Sequence, residues 1–261
     1  MSTKQTDQQF RDLWKEAKAN PDIIGFFLGG SRGKGFQNSH SDYDLRMIVK
    51  DESAKTYQRK YEKITFKEID LVVLSLSEFR TYALWGSPES WDRYDFTHVK
   101  ALVAKRSEIQ KIIDEKGSIP KERQHDFIVY SLDAYINGVF RSVKCFRNQN
   151  ETGARLEAST SLPYLLDLVF VLHRRPKPFY GYLERELKKY PLKKLPWSGK
   201  SFSKMLLTIL STADLKTQQK MLKAIEKLFR KEGFGHVFDG WEGKDTWTMN
   251  YHQKFGTLMR G

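Results

Sequence analysis

Apolar side chains recur at helical spacing over residues 7–19, where Phe10, Leu13, Trp14 and Ala17 form one face ahead of the Asn20-Pro21 break. The next run, Ile23 to Leu28, is short, continuous and rich in β-branched and aromatic residues, and it stops at Gly29-Gly30. That is the pattern of a buried strand entering a tight turn. Asp42 to Val49 and Phe66 to Leu74 predict two further strands, with a mixed, helix-like stretch from Ala54 to Lys63 between them. From Ile109 onward the period becomes helical, and Phe127–Phe146, Ala154–His173 and Phe202–Lys231 are each long enough for a bundle helix. The fold class predicted is α+β. Residues 1–118 form a first domain with a small mixed sheet and flanking helices, and residues 119–261 an all-helical bundle domain. Phe234, Phe238, Trp241, Trp247 and Tyr251, spread among glycines, predict a tail docked as an irregular segment.

Composition narrows the classes. Cys145 is the only cysteine in 261 residues, which excludes an intrachain disulfide and a four-cysteine zinc site. The longest apolar stretches, Leu71–Leu74 and Leu168–Leu172, fall far short of the roughly 20 residues that cross a bilayer. The start of the chain carries no apolar leader. The expectation is a soluble, cytoplasmic protein with no membrane partner. The formal charge is +13 and unevenly placed: residues 1–115 carry 19 basic and 18 acidic side chains, the remainder 26 and 14. The second half therefore presents either an anion-binding face or a solvated helical surface. His98, His125, His173 and His236 show no metal-ligand spacing, and no hydrolase triad is arguable.

The passage that carries chemistry runs from Phe27 to Leu45: Gly29-Gly30-Ser31-Arg32-Gly33-Lys34-Gly35, a polar loop, then Ser41-Asp42-Tyr43-Asp44-Leu45. Successive strand side chains alternate faces, so Asp42 and Asp44 share one face with Cα atoms about 6 to 7 Å apart. Two anions so placed raise each other's pKa, and a divalent cation resolves the conflict. Oxygen donors alone favour magnesium. Asp70, charged amid the apolar Ile69 and Leu71–Leu74, is the candidate third acid, with Glu68 two residues away as the substitute. Glycines ahead of the acids let backbone amides approach phosphate oxygens, with Gly30 and Ser31 as the contact candidates. The spacing fits neither a Walker loop, because only three residues separate Gly29 from Gly33-Lys34 and Gly35 follows, nor a dinucleotide fingerprint.

This ordered combination resembles the polymerase-beta-like nucleotidyltransferase superfamily: a hydrophobic strand, Gly-Ser, a turn, Asp-x-Asp and a later strand acid. The resemblance implies that Gly30-Ser31 binds a triphosphate, that Asp42 and Asp44 hold two Mg²⁺ ions, and that Asp70 adds the third metal-binding carboxylate. In the second half, Ala154-Arg155-Leu156-Glu157, Leu162-Pro163-Tyr164-Leu165-Leu166 and Pro178–Leu183 resemble the helical domain of antibiotic-type nucleotidyltransferases. In those enzymes the helical domain shapes the acceptor pocket and can supply a general base, for which Glu157 is the candidate. Arg141 and Lys144, three apart on one helical face, are candidates for the β and γ phosphates, and Lys34 is a further cation near them. The implied reaction transfers a nucleoside monophosphate from ATP or another nucleoside triphosphate to a hydroxyl of a small molecule, an aminoglycoside or lincosamide, with release of pyrophosphate. An RNA or protein acceptor is the alternative, and a non-catalytic nucleotide-binding protein of the same fold a third.

Overall fold

The strand-like runs pair into one four-stranded sheet of order β3-β2-β1-β4. In the computed structural model, which describes residues 4–62, 67–241 and 246–252, these are β1 (Ile23–Leu28), β2 (Tyr43–Val49), β3 (Ile69–Ser75) and β4 (Ala101–Ala104). β1 runs antiparallel to both β2 and β4, and β2 runs parallel to β3, so the sheet is mixed, as expected. The four residues of β4 are too few to show a period and had no counterpart in the predicted elements. Phe66 and Lys63, placed by the sequence reading at the ends of elements, lie outside the described residues.

Alternation along β2 divides the core in two. Tyr43, Leu45, Met47 and Val49 pack with Leu13 and Ala17 of α1 (Lys4–Ala19) and with Tyr57 and Tyr61 of α3 (Ala54–Glu62). On the other face Ile48 packs with Leu76 and Phe79 of α4 (Leu76–Thr81) and with Ile109 and Ile113 of α5 (Ser107–Lys116). Ser75 and Glu78 close a reciprocal capping box that starts α4 where β3 ends. This second face is apolar at the Ile48 end of β2 and charged at the Asp44–Arg46 end. A 3-10 segment, Pro88–Phe96, packs against that charged end, and the sequence reading did not anticipate it.

The chain divides into two compact units: residues 1–120 with 178–182, and residues 121–177 with 183–261. The boundary drawn between 118 and 119 missed the return of Pro178–Tyr182 to the first unit. That return is made by aromatic contacts, Tyr94 with Phe179 at 5.6 Å and with Tyr182 at 6.1 Å between ring centroids, which no local pattern announces.

The second unit is built on α6 (Lys121–Arg147) and α7 (Glu151–Val171), followed by the short α8 (Leu183–Lys189). Gly138 lets them approach closely, since a Cβ there would sit 2.7 Å from that of Ser161. The long helix expected over Phe202–Lys231 is two: α9 (Gly199–Thr212) and α10 (Leu215–Lys231). Ala213 turns left-handed between them at φ 50°, and Asp214 caps α10 by accepting from the Thr217 amide at 2.8 Å. The cap satisfies orphan amides that a continuous helix would not have, and it decides the break. The tail is docked, with Trp241 5.7 Å and Trp247 6.0 Å from the Phe140 ring, but it includes a short helix, α11 (Gly235–Asp239), where irregular chain was expected. Among the described residues no helix is long and apolar enough to cross a membrane.

Candidate active site

The glycine turn is wedged between two carboxylates. After β1 the chain enters a single helical turn, α2 (Gly30–Gly33), closed by the Gly33 amide donating to the Gly29 carbonyl at 2.7 Å. Gly30 stands at φ +50°, and a Cβ there would overlap Asp44 Oδ2. A Cβ on Gly29 would overlap Asp95 Oδ2. The Gly29 amide donates to the Asp44 carbonyl at 2.8 Å, while the Gly30 amide donates to Asp95 Oδ1 at 2.5 Å. Only glycine fits at Gly30 on both conformational and steric grounds. One of the amides assigned to phosphate from sequence is therefore occupied by Asp95.

Arg32, which sequence reasoning passed over, ties this turn to the acids. Its guanidinium donates to the carbonyls of Ser41 at 2.9 Å and Asp42 at 2.8 Å and lies 3.9 Å from the centre of the Tyr43 ring. Asp42 is exposed in the loop just ahead of β2, and Asp44 lies within the strand, half-buried. In the parallel register Asp44 is paired with Asp70, so both project from the same face. Asp70 is exposed rather than embedded in a core, because β3 forms an edge of the sheet. Glu68 turns toward α1 instead, accepting from the Thr6 hydroxyl at 3.1 Å.

These placements give the site its electrostatics. Burial first, and then the charges of Asp42, Asp95 and Asp70, push the Asp44 carboxyl up to about 6, with Arg46 pulling the other way. A crowd of hard oxygen donors with surplus negative charge has the chemistry of a magnesium or manganese site. Its geometry is open, however. Among the described residues no group of three or more His, Cys, Asp and Glu side chains is arranged to hold a metal ion. The predicted convergence of Asp42, Asp44 and Asp70 is thus electrostatic and not a closed coordination shell. Like charges repel, and the exposed Asp42 and Asp70 are better solvated apart.

A second charged group stands beside the first and is closed. Lys34, Arg46, Asp92 and Asp95 are all buried. Lys34 Nζ donates to the Asp95 carbonyl at 2.8 Å and lies 3.6 Å from its Oδ1; Arg46 Nη2 lies 3.6 Å from Asp95 Oδ2 and 3.8 Å from Asp92 Oδ2. The Tyr82 hydroxyl donates to Asp92 at 2.7 Å. Two cations and two anions balance. Lys34, which the sequence offers as a further cation near the phosphates, is committed to this network. Arg46 was legible in principle, as a charge two residues past Asp44 on the same strand face, whereas Asp92 and Asp95 lie in the unanticipated 3-10 segment.

Residues 9–121 match the family model of the nucleotidyltransferase domain. That stretch is a nucleotidyltransferase domain of the polymerase-beta-like superfamily. The match spans the glycine turn, Asp42, Asp44, Asp70 and the whole closed network, and it supports nucleotidyl transfer as the general activity of the domain. Among solved structures the chain is similar to a nucleotidyltransferase-like protein from Exiguobacterium sibiricum 255-15, with 13% identity over 89% of this chain and 78% of that one and a TM-score of 0.41. That likeness is too low to transfer the role of any residue. No curated protein matches the chain.

The remaining candidates lie in the helical unit, outside the nucleotidyltransferase domain. Arg141 of α6 and Glu157 of α7 pair with each other, Arg141 Nε donating to Glu157 Oε1 at 2.8 Å. Lys144, one turn along α6, is exposed.

Proposed function

We propose that this protein transfers a nucleoside monophosphate, from ATP in the first instance, to a hydroxyl of a small-molecule acceptor of aminoglycoside or lincosamide type, releasing pyrophosphate. The observation that carries the reading is the contact of the glycine turn with Asp44. Gly30 leaves no room for a side chain beside Asp44 Oδ2, so phosphate bound along the turn would lie against the acid cluster. Asp42, Asp44 and Asp70 would hold divalent cations, two Mg²⁺ in the full form of the proposal. When bound, these would supply Lewis-acid stabilisation of the phosphates and lower the pKa of the attacking hydroxyl.

The chain's own groups do the remaining work. Asp44 marks the α-phosphate end of the site, and the exposed Asp42 and Asp70 reach it from the neighbouring loop and strand. Arg32 ties the backbone of Ser41 and Asp42 to the turn through two carbonyls, so Asp42 is held beside the phosphate cradle. Ser31, buried in the turn, stands next to Gly30 as the remaining phosphate contact on α2. Catalysis of this kind is positioning and electrostatics.

The test is incubation with labelled ATP, Mg²⁺ and a panel of aminoglycosides and lincosamides. Pyrophosphate should appear only with a true acceptor and vanish in Asp44→Ala. Turnover that survives Asp44→Ala, or no label transferred to any member of the panel, would overturn the proposal. Label entering RNA in a steeply salt-dependent manner would move the acceptor to the nucleic-acid class, which the basic second half of the chain would then serve.

A further inference from the structure

We infer that Asp95 is the positioning residue of the nucleotide turn: anchored by Lys34 and Arg46, its carboxylate grips the Gly30 amide and so determines where Gly30 and Ser31 stand against Asp44. This rests on the transferase reading for its catalytic consequence, though not for its geometry.

Three observations carry it. The bond from the Gly30 amide to Asp95 Oδ1, at 2.5 Å, joins residues 65 apart in sequence, so no local preference creates it. Asp95 is 5% exposed, and its two oxygens face the two buried cations, Lys34 from Oδ1 and Arg46 from Oδ2, each at 3.6 Å. Were the carboxylate to swing toward solvent, both pairings would break inside the protein, so it is held in place rather than exchanging with a ligand. Finally, the three atoms nearest a Cβ placed on Gly29 are all in the Asp95 carboxyl group. The Asp95 carboxyl group by itself excludes a side chain at this position. It follows that Gly30 spends its amide on Asp95 and that phosphate must be met by the rest of the turn, Ser31 foremost.

The relation between Gly29 and Asp95 supplies a double-mutant cycle. Asp95→Ala and Gly29→Ala should each raise KM for ATP and lower kcat, cutting kcat/KM by about a hundred-fold. The double variant Gly29→Ala/Asp95→Ala should be no worse than either single one, because the added methyl occupies the room the carboxyl group has left. Asp95→Asn keeps an oxygen for the Gly30 amide and should stay within about ten-fold of the wild type. Amide hydrogen exchange reads the geometry without any turnover. Gly30 should be protected in wild type and in Asp95→Asn, and exchange on the order of a hundred-fold faster in Asp95→Ala and Gly29→Ala. A purely structural role would lower the melting temperature while leaving KM, kcat and Gly30 protection untouched. That result, or penalties that add in the double variant, would overturn the inference. If Asp95→Ala does not fold, Gly29→Ala against Asp95→Asn decides on the same two readouts. Wild-type protein that releases no pyrophosphate would defeat the transferase reading, while Gly30 exchange would still judge Asp95.

Discussion

Two groups of carboxylates stand at the same end of the sheet and are treated in opposite ways. Asp92 and Asp95 are buried and matched by Lys34 and Arg46, and the Tyr82 hydroxyl donates to Asp92 and the Gly30 amide to Asp95. Asp42, Asp44 and Asp70 are more open to water and crowd their charges on one another. A fold selected only for stability would have little use for the second arrangement, since it costs free energy and returns no pairing. The closed group holds a shape, and the open group keeps the surplus negative charge that the proposed cation site needs. Arg46 touches both: it pairs with Asp92 and Asp95 and also moderates the Asp44 carboxyl.

The sharpest way to break this contrast is to remove charge from the open group. Asp44→Asn should lower kcat by about a thousand-fold or more, since the lost term is several kcal/mol of transition-state stabilisation. Pyrophosphate release measures it. Removing charge from the closed group should strike the fold instead. Arg46→Met leaves Asp92 and Asp95 buried without their shared cation and should lower unfolding free energy by about 3–5 kcal/mol, read by denaturant titration.

The third expectation is an inversion. With the folded-state pKa of Asp44 pushed up to about 6, the folded protein binds more protons than the unfolded chain between roughly pH 4 and 6. Stability contributed by Asp44 is therefore lost as pH rises through that window, and above it the ionised group is a burden. Asp44→Asn, inactive, should be more stable than wild type at pH 7 by roughly 1–2 kcal/mol after allowance for solvent screening, with the gain fading as pH falls from about 6 to about 4. Thermal melts at pH 7 and pH 4 would test the sign.

The smallest effect belongs to the helical unit. Arg141 and Glu157 form a largely exposed ion pair, so Arg141→Ala should change stability by no more than about 1 kcal/mol. Glu157→Gln sharpens the same point. If Glu157 is the base, kcat falls by about a hundred-fold or more and loses its acid limb; if it only partners Arg141, the pH profile is unchanged.

What was legible in the sequence follows from the range of each interaction. The period-2 run of β2, the Gly-Gly stop after β1 and the Asp-x-Asp spacing are local, and they located the turn and the first two acids. The third acid required knowing which of Glu68 and Asp70 faces Asp44, and that depends on the parallel register of β2 with β3 and on Thr6 drawing Glu68 toward α1. Asp92 and Asp95 were invisible because the 3-10 segment carrying them has no period to detect, and because their partners Lys34 and Arg46 lie some 50 to 60 positions earlier. The pairing of Lys34, which the sequence offers only as a further cation near the phosphates, was hidden for the same reason: its partner Asp95 is supplied by tertiary structure. The break at Ala213 was signalled only by Asp214, a residue suited to an N-cap in the midst of an otherwise continuous apolar stripe.

Arg32 also makes the site a practical place to work. Its guanidinium clamps Ser41 and Asp42, and the Phe36 amide holds the Ser31 carbonyl at 2.7 Å, so the loop between is pinned at both ends while residues 37–40 face water. A fluorophore attached at Gln37, or a few residues spliced in beside it, would ride next to the acids without disturbing their frame. Arrival of nucleotide could then be watched as a change in emission, in protein that is otherwise intact.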